Sequence, residues 1–250
     1  MRVLSSTVLA LTLLFAHLSH AADHNAVVDF SSGTQGWEGH WDGLYSNIDN
    51  SLGNTAPAYR TQFSTFAITY VNSSNPDFIG DFTQSPSVTF GLDINVMSMT
   101  QSDWDFGGPV DRDLVLELRD YDSAAPGMPY ASVWVNLGKL NVGQGWQHMQ
   151  ATISDTRSTS YVDGWSGNGD TDALGNTILP PGVSFTDILK GVDQIAFTTF
   201  VPGWSYTQID FDVAIDNITV SAVPEPASVA MQIAGLAVLG GAAHRRRRQR

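Results

Sequence analysis

The chain contains no cysteine. Disulfides, thiolate zinc sites, iron–sulfur clusters and a cysteine nucleophile are excluded with it. Bases are scarce: 12 Lys+Arg stand against 25 Asp+Glu, a formal net charge of −13 over 250 residues. A nucleic-acid partner needs a basic face and is therefore excluded. Glutamate is rare as well, with only Glu38, Glu117 and Glu225. No His-Glu-x-x-His, no Gly-x-Ser-x-Gly and no phosphate-cradling Gly-rich loop with Lys is present. A glycosidase needs two carboxyls, one with a raised pKa, and no Glu-x-Asp-x-x-Glu strand supplies them. No helical periodicity extends beyond a short turn near Phe185–Leu189. Together these absences predict a non-catalytic domain.

The few bases are unevenly placed. Arg2 lies at the N-terminus, and Arg245, Arg246, Arg247, Arg248 and Arg250 lie at the C-terminus. The span 23–222 keeps six bases against 24 acids, a net of −18. Residues 1–22 read as a secretory signal peptide. Arg2 gives a positive start, Val8 to Phe15 an apolar run, and Ser19-His20-Ala21 a small-x-small cleavage pattern.

Residues 223–250 have three parts. Val223-Pro224-Glu225-Pro226 precedes an uncharged stretch from Ala227 to Ala243, and Arg245 to Arg248 close it. The stretch is near the lower length limit for a transmembrane helix. Arginines held on the cytoplasmic side would leave the domain outside. This tail resembles the PEP-CTERM sorting signal of Gram-negative bacteria. The resemblance implies recognition and processing by an exosortase, a transient stay in the inner membrane, and a final place on the cell surface or in the extracellular matrix. It also implies association with exopolysaccharide in biofilm or floc formation.

The central span reads as all-β. Val88, Phe90, Leu92, Ile94 and Val96 alternate with Thr89, Gly91, Asp93 and Asn95, the period-two pattern of a strand with one buried face. Runs at 114–119, 131–137 and 148–153 repeat the pattern, and 26–30, 60–70, 192–201 and 211–220 are further candidates. About eight strands with turn-rich joints predict a β-sandwich of jelly-roll type. Stretches at 98–112, 120–130 and 155–182 read as long loops. Between Ile215 and Ile218 the alternation changes phase, which predicts a bulge at Asp216-Asn217.

Asp29-Phe30 with Gly33 and Gly36-Trp37 is similar to the opening of galactose-binding-like jelly rolls. Val213-Ala214-Ile215-Asp216-Asn217-Ile218 is similar to their closing strand. Carbohydrate-binding modules and laminin-B-like domains belong to that family. The resemblance implies adjacent first and last strands, and a structural calcium with Asp29 and Asp216 as ligands. Ser31 stands where the family has a second acid. Asn168, Asp170 and Asp172 imitate an EF-hand start, but Ala173 and Leu179 break it.

Alternation places Trp134 with Asn136, Trp146 with His148, and Glu117 with Arg119 on polar faces. If these strands share one sheet, they form a glycan platform, since aromatic rings stack on the apolar faces of sugars while polar neighbours bind hydroxyls. Trp104, Trp165, Trp204 and Tyr206 lie in or beside loops as further contacts. Trp37 and Phe90 are expected in the core. The sequence thus predicts an exported glycan-binding domain. A purely structural acidic matrix component and a glycan-active hydrolase stay open beside it.

Overall fold

The computed structural model describes residues 24–101 and 110–223. The expected signal peptide, Trp104, and the tail beyond Val223 with the expected transmembrane helix and Arg245 to Arg248 lie outside the described residues. Among the described residues no helix is long and apolar enough to cross a membrane.

The described chain is all-β. Its strands are β1 (Asn25–Val28), β2 (Trp37–Glu38), β3 (Ser46–Asp49), β4 (Ala58–Thr65), β5 (Thr69–Asn72), β6 (Ser87–Gln101) and β7 (Arg112–Asp120). They continue as β8 (Ala131–Leu140), β9 (Trp146–Ile153), β10 (Trp165–Asn168), β11 (Asp170–Thr171), β12 (Thr177–Ile178), β13 (Gln194–Thr198) and β14 (Ile209–Val223). One helix, α1 (Phe185–Lys190), falls where the sequence shows a helical turn, capped by Ser184 and Asp187.

Two six-stranded sheets face each other. The first runs β3-β4-β14-β6-β9 with β1 also on β14, and the second runs β10-β8-β7-β13-β5-β2. All pairings between these strands are antiparallel. The alternation explains the layers. Val88, Phe90, Leu92 and Ile94 from the first sheet, and Leu114, Leu116, Leu118, Val133, Ile195 and Phe197 from the second, are buried in one core. Phe90 and Trp37 lie there as their sequence context predicts. Each fully buried side chain of this size contributes about 1.5–3 kcal/mol.

The sequence resolves eight strands where fourteen form among the described residues. Residues 60–70 divide into β4 and β5, and the Gly-rich stretch 155–182 contains β10 and the β11–β12 hairpin. Apart from β4, these strands have two to four residues, too few to show a period.

The phase change in the last strand is a bulge. The β14–β6 register shifts between Asp216 and Thr219, and Asn217 has φ of +46°. Its cause lies on the other side of β14. There β4 pairs as far as Ile215, and β1 takes over from Ile218. In the gap the Asp216 carboxylate accepts the N–H groups of Asn54 (2.9 Å), Thr55 (3.3 Å) and Asn217 (2.7 Å). The side chain thus replaces a missing rung of the ladder, which keeps buried backbone donors satisfied.

Many of the other aspartates close turns. In Asp29-Phe30-Ser31, Asp49-Asn50-Ser51 and Asp81-Phe82-Thr83, Oδ1 of the first residue accepts both the N–H and the hydroxyl of the third. Asp172 closes the β11–β12 hairpin by accepting from Leu174 and Asn176. Short carboxylates favour such turns because they reach their own backbone two residues on.

These bonds predict an acid-labile fold. The hydroxyl and N–H of Ser31 hold Asp29 below the ordinary value of 3.8, and Asp49 and Asp187 are lowered in the same way by Ser51 and Ser184. Asp172 is lowered by Asn176. Burial pushes Asp81 and Asp93 up, but their hydrogen bonds outweigh it and both are lowered. Burial raises Asp216, which therefore acts in the opposite sense. For the six lowered groups, the unfolded chain takes up protons more readily as pH falls past 3.8. Their stabilisation is complete above that value and is lost as pH falls through the folded-state values. The melting temperature is expected to stay level from about pH 7 to 5 and to drop steeply below about pH 4. A profile that rises toward low pH would show that Asp216 dominates.

Candidate functional site

The outer face of the second sheet is built by register. Ser166, Trp134, Glu117, Ala196 and Val71 stand opposite one another across β10, β8, β7, β13 and β5. The leucines of β7 point into the core, so the intervening residues are left on this outer face. Trp134 is held in place by its Nε1–H, which donates to the Gly167 carbonyl at 3.3 Å.

At one end of this face lies a groove of about 450 Å³. Three separate stretches form it: Asp111 to Asp113, Trp134 to Lys139, and Val201 to Tyr206, with Gly164 and Ser166 beside them. Val201-Pro202-Gly203-Trp204 closes a tight turn, with Trp204 N–H donating to the Val201 carbonyl at 3.1 Å and Gly203 at φ of +83°. Proline followed by glycine at the centre favours this turn type. The turn leaves the Trp204 side chain 67% exposed.

The polar groups of the groove are ordered. The Arg112 guanidinium lies 4.8 Å from the centre of the Tyr206 ring and donates to the carbonyls of Asp111 (3.1 Å) and Thr207 (3.2 Å). Its buried Nε has no hydrogen-bond partner among the described residues. Burial pulls Arg112 below its ordinary value, with the neighbouring Tyr206 opposing this. Asn136 donates to Asp113 at 2.9 Å, and Lys139 pairs with Asp111 at 3.4 Å. Two bases thus balance two acids in a domain that is otherwise strongly acidic. The groove offers aromatic rings beside fixed donors and acceptors and no net charge, which suits a neutral polyhydroxylated ligand.

The sequence-predicted site residues divide into several groups. Trp134 and Trp204 meet in the groove. Glu117 and Arg119 share its sheet face, but they bind one another: Arg119 Nε and Nη2 lie 2.8 and 2.6 Å from Glu117 Oε2. Trp146 and His148 do not join this platform, because β9 belongs to the first sheet. There His148 bonds to Asp93 at 2.8 Å. Trp165 is not a loop contact; it is buried in β10 against Phe185, with ring centres 5.9 Å apart. Of the charged groove residues, Arg112 and Lys139 are not singled out by the sequence, and Asp111 and Asp113 read there only as solvated loop acids. The Pro202-Gly203 turn is the local signal that singles out Trp204.

Asp29 and Asp216, the expected calcium ligands, already accept hydrogen bonds: Oδ1 of Asp29 from Ser31, and both oxygens of Asp216 from the N–H groups of Asn54, Thr55 and Asn217. Among the described residues no group of three or more His, Asp or Glu is placed to hold a metal ion.

Comparison with protein-family profiles and with curated proteins yields no match. Among solved structures, the chain is similar to the CBM22-1 xylan-binding domain of Paenibacillus barcinonensis Xyn10C, at 14% identity and a TM-score of 0.47, over 80% of this chain and 94% of that one. It is similar to an exo-β-agarase at 15% identity and a TM-score of 0.45, over 80% of this chain but only 25% of that one. It is also similar to the N-terminal cellulose-binding domain of Cellulomonas fimi β-1,4-glucanase C, at 11% identity and a TM-score of 0.35, over 77% of this chain and 92% of that one. None of these TM-scores reaches 0.5, so the ligands of those proteins are not carried to this chain.

Proposed function

We propose that this chain is an exported, exosortase-sorted protein of the cell surface or matrix whose jelly-roll domain binds a neutral exopolysaccharide without catalysis. The observation that carries the binding half is the groove where Trp134, Trp204 and Tyr206 converge around Arg112, Asp113 and Asn136. Aromatic faces take the apolar faces of sugar rings, and the ordered polar groups take their hydroxyls. The balanced groove sits in a domain of strong negative charge, which repels bare polyanions. Both groove carboxylates are already engaged, Asp111 by Lys139 and Asp113 by Asn136, which supports binding over acid–base chemistry. The export half is supported by the N-terminal apolar run and by Pro224-Glu225-Pro226 with its apolar stretch and Arg245 to Arg248.

Affinity electrophoresis of the full chain in xylan, glucomannan, hydroxyethylcellulose and agarose tests this, with alginate as the anionic control. At least one neutral polymer is expected to retard the protein while alginate does not. Trp134→Ala and Trp204→Ala are each expected to weaken that retardation roughly tenfold or more, as loss of a central aromatic anchor does. If no neutral polymer binds, or both variants bind unchanged, the binding reading fails and an acidic structural matrix component remains.

A further inference from the structure

A second group of rings lies at the edge of the first sheet, where Trp41 is exposed and Tyr45 and Phe63 are half-buried. Trp41 is 67% exposed and its backbone has φ of +43°. Bulky side chains rarely adopt that region, and of the two that do among the described residues, Phe30 is buried in the core while Trp41 faces solvent. The turn that enforces it is closed by Leu44 and Tyr45, whose N–H groups both donate to the Trp41 carbonyl, at 2.9 and 3.1 Å. Trp41, Tyr45 and Phe63 form one aromatic ledge, with ring centres 4.3 to 6.1 Å apart and mutual tilts of 33 to 37°.

Tyr45 also borders a shallow cavity of about 270 Å³ over β3 and β4. Its polar wall is fixed. Arg60 donates to both oxygens of Asp212, at 2.8 and 2.7 Å, and to Asp49 at 3.2 Å, while Gln62 donates to Asp212 at 3.1 Å. Asn47 stands opposite Arg60 in the register and is exposed. Of the charged residues, Asp49 and Arg60 line the cavity and pair with each other, so its wall carries no net charge. This place shares no strand with the groove, which lies on the second sheet and the loop before β14.

We infer that this ledge and cavity form a second site for a neutral glycan, so that one domain holds two polysaccharide chains and cross-links them. The ring ledge matches the apolar face of a sugar, the fixed amide, guanidinium and carboxylate groups match its hydroxyls, and a wall without net charge suits a neutral ligand. The small cavity takes only a short stretch of the chain. Two sites on one rigid body let a single domain join two chains, and many such domains along the same pair of chains make the bridge durable. The choice of ligand class rests on the reading of the groove; the existence of the site does not.

The test uses full chains carrying Trp41→Gly, Trp134→Ala plus Trp204→Ala, or all three changes. Glycine adopts positive φ freely, so Trp41→Gly is expected to melt no lower than the parent. Probes are beads coated with xylan, glucomannan, hydroxyethylcellulose or agarose. The parent is expected to bind and aggregate one type of bead. Trp41→Gly is expected to bind that bead with at least tenfold less aggregation, and the groove-disabled chain is expected to keep weak, saturable binding that the triple change removes. Unchanged aggregation by Trp41→Gly overturns the proposal, as does absence of saturable binding in the groove-disabled chain. Both outcomes leave the groove to be judged on Trp41→Gly, whose remaining binding belongs to the groove alone. A Trp41→Gly chain that melts well below the parent would mark Trp41 as a structural residue and overturn the proposal.

Discussion

Replacing Arg119 with alanine is expected to lower the free energy of unfolding by about 3–5 kcal/mol, although the residue lies near the surface of the sheet. The cause is Glu117, which is only 2% exposed in the middle of β7. Its Oε1 accepts the Ser132 hydroxyl at 2.6 Å, and its Oε2 accepts Arg119 Nε at 2.8 Å. Arg119 is held in turn by Gln194 at 2.7 Å and lies over the Tyr130 ring at 4.7 Å. Without the guanidinium, a buried carboxylate keeps one hydroxyl and no opposite charge. The penalty is that of an uncompensated buried ion, which far exceeds the net value of the pair. A double variant, Glu117→Gln with Arg119→Met, removes both charges and is expected to recover most of the loss. Urea unfolding of the parent, Glu117→Gln, Arg119→Met and the double variant forms a double-mutant cycle that measures the coupling. A loss under about 1 kcal/mol in Arg119→Ala would mean that water reaches Glu117 and that the pair is an ordinary surface contact.

Trp37→Ala is expected to cost about 3–5 kcal/mol, the range for a large aromatic removed from a packed core. Trp37 is fully buried between Phe78 and Phe197, with ring centres at 5.3 and 5.7 Å. It also fastens a weak element. The strand β2 consists of Trp37 and Glu38 alone, paired to β5 at the sheet edge. Two residues cannot hold a strand by ladder bonds, so the indole keeps β2 in the sheet. Its Nε1–H, however, finds no acceptor among the described residues. Trp37→Phe removes that unpaired donor, whose burial costs about 1–3 kcal/mol, and should therefore be much milder than the alanine change. Equal thermal melts for the two variants would show that a smaller ring cannot replace the packing of the indole.

The sequence makes strand faces legible, but not strand partners. Val88 to Val96 reads correctly because one buried face imposes period two over many residues. The bulge at Asp216-Asn217 reads correctly because a one-residue slip leaves a mark in the alternation. Trp146 and His148 also alternate as read, but nothing in a local pattern tells which sheet a strand joins. The short link from Asn141 to Gly145 takes the chain from the second sheet to the first, and with it both residues leave the predicted platform. Trp165 misleads for another reason. Its surroundings are rich in glycine and aspartate, yet a four-residue strand and the packing of Phe185 bury it. The groove is only half legible, since Arg112, Trp134 and Trp204 come from stretches far apart in sequence, and their meeting is a matter of topology.

The aspartates read as ligands or solvated acids have a local use. Repeated Asp-x-Ser/Thr turns account for Asp29, Asp49 and Asp81, so much of the acidic excess shapes the backbone.

The length of β14 has a mechanical consequence. Its 15 residues run from Ile209, just after the loop that carries Trp204, to Val223, where the described chain ends. At about 3.3 Å per residue this is a rod of roughly 50 Å. Ladder bonds lie across a strand, so a pull between the groove loop and the C-terminal end acts along β14 and loads its bonds to β6, β4 and β1 in shear. Bonds loaded in shear share the force, whereas bonds unzipped from one end fail in turn. A chain tethered at one end and gripped at the other therefore meets tension along its most strongly paired strand.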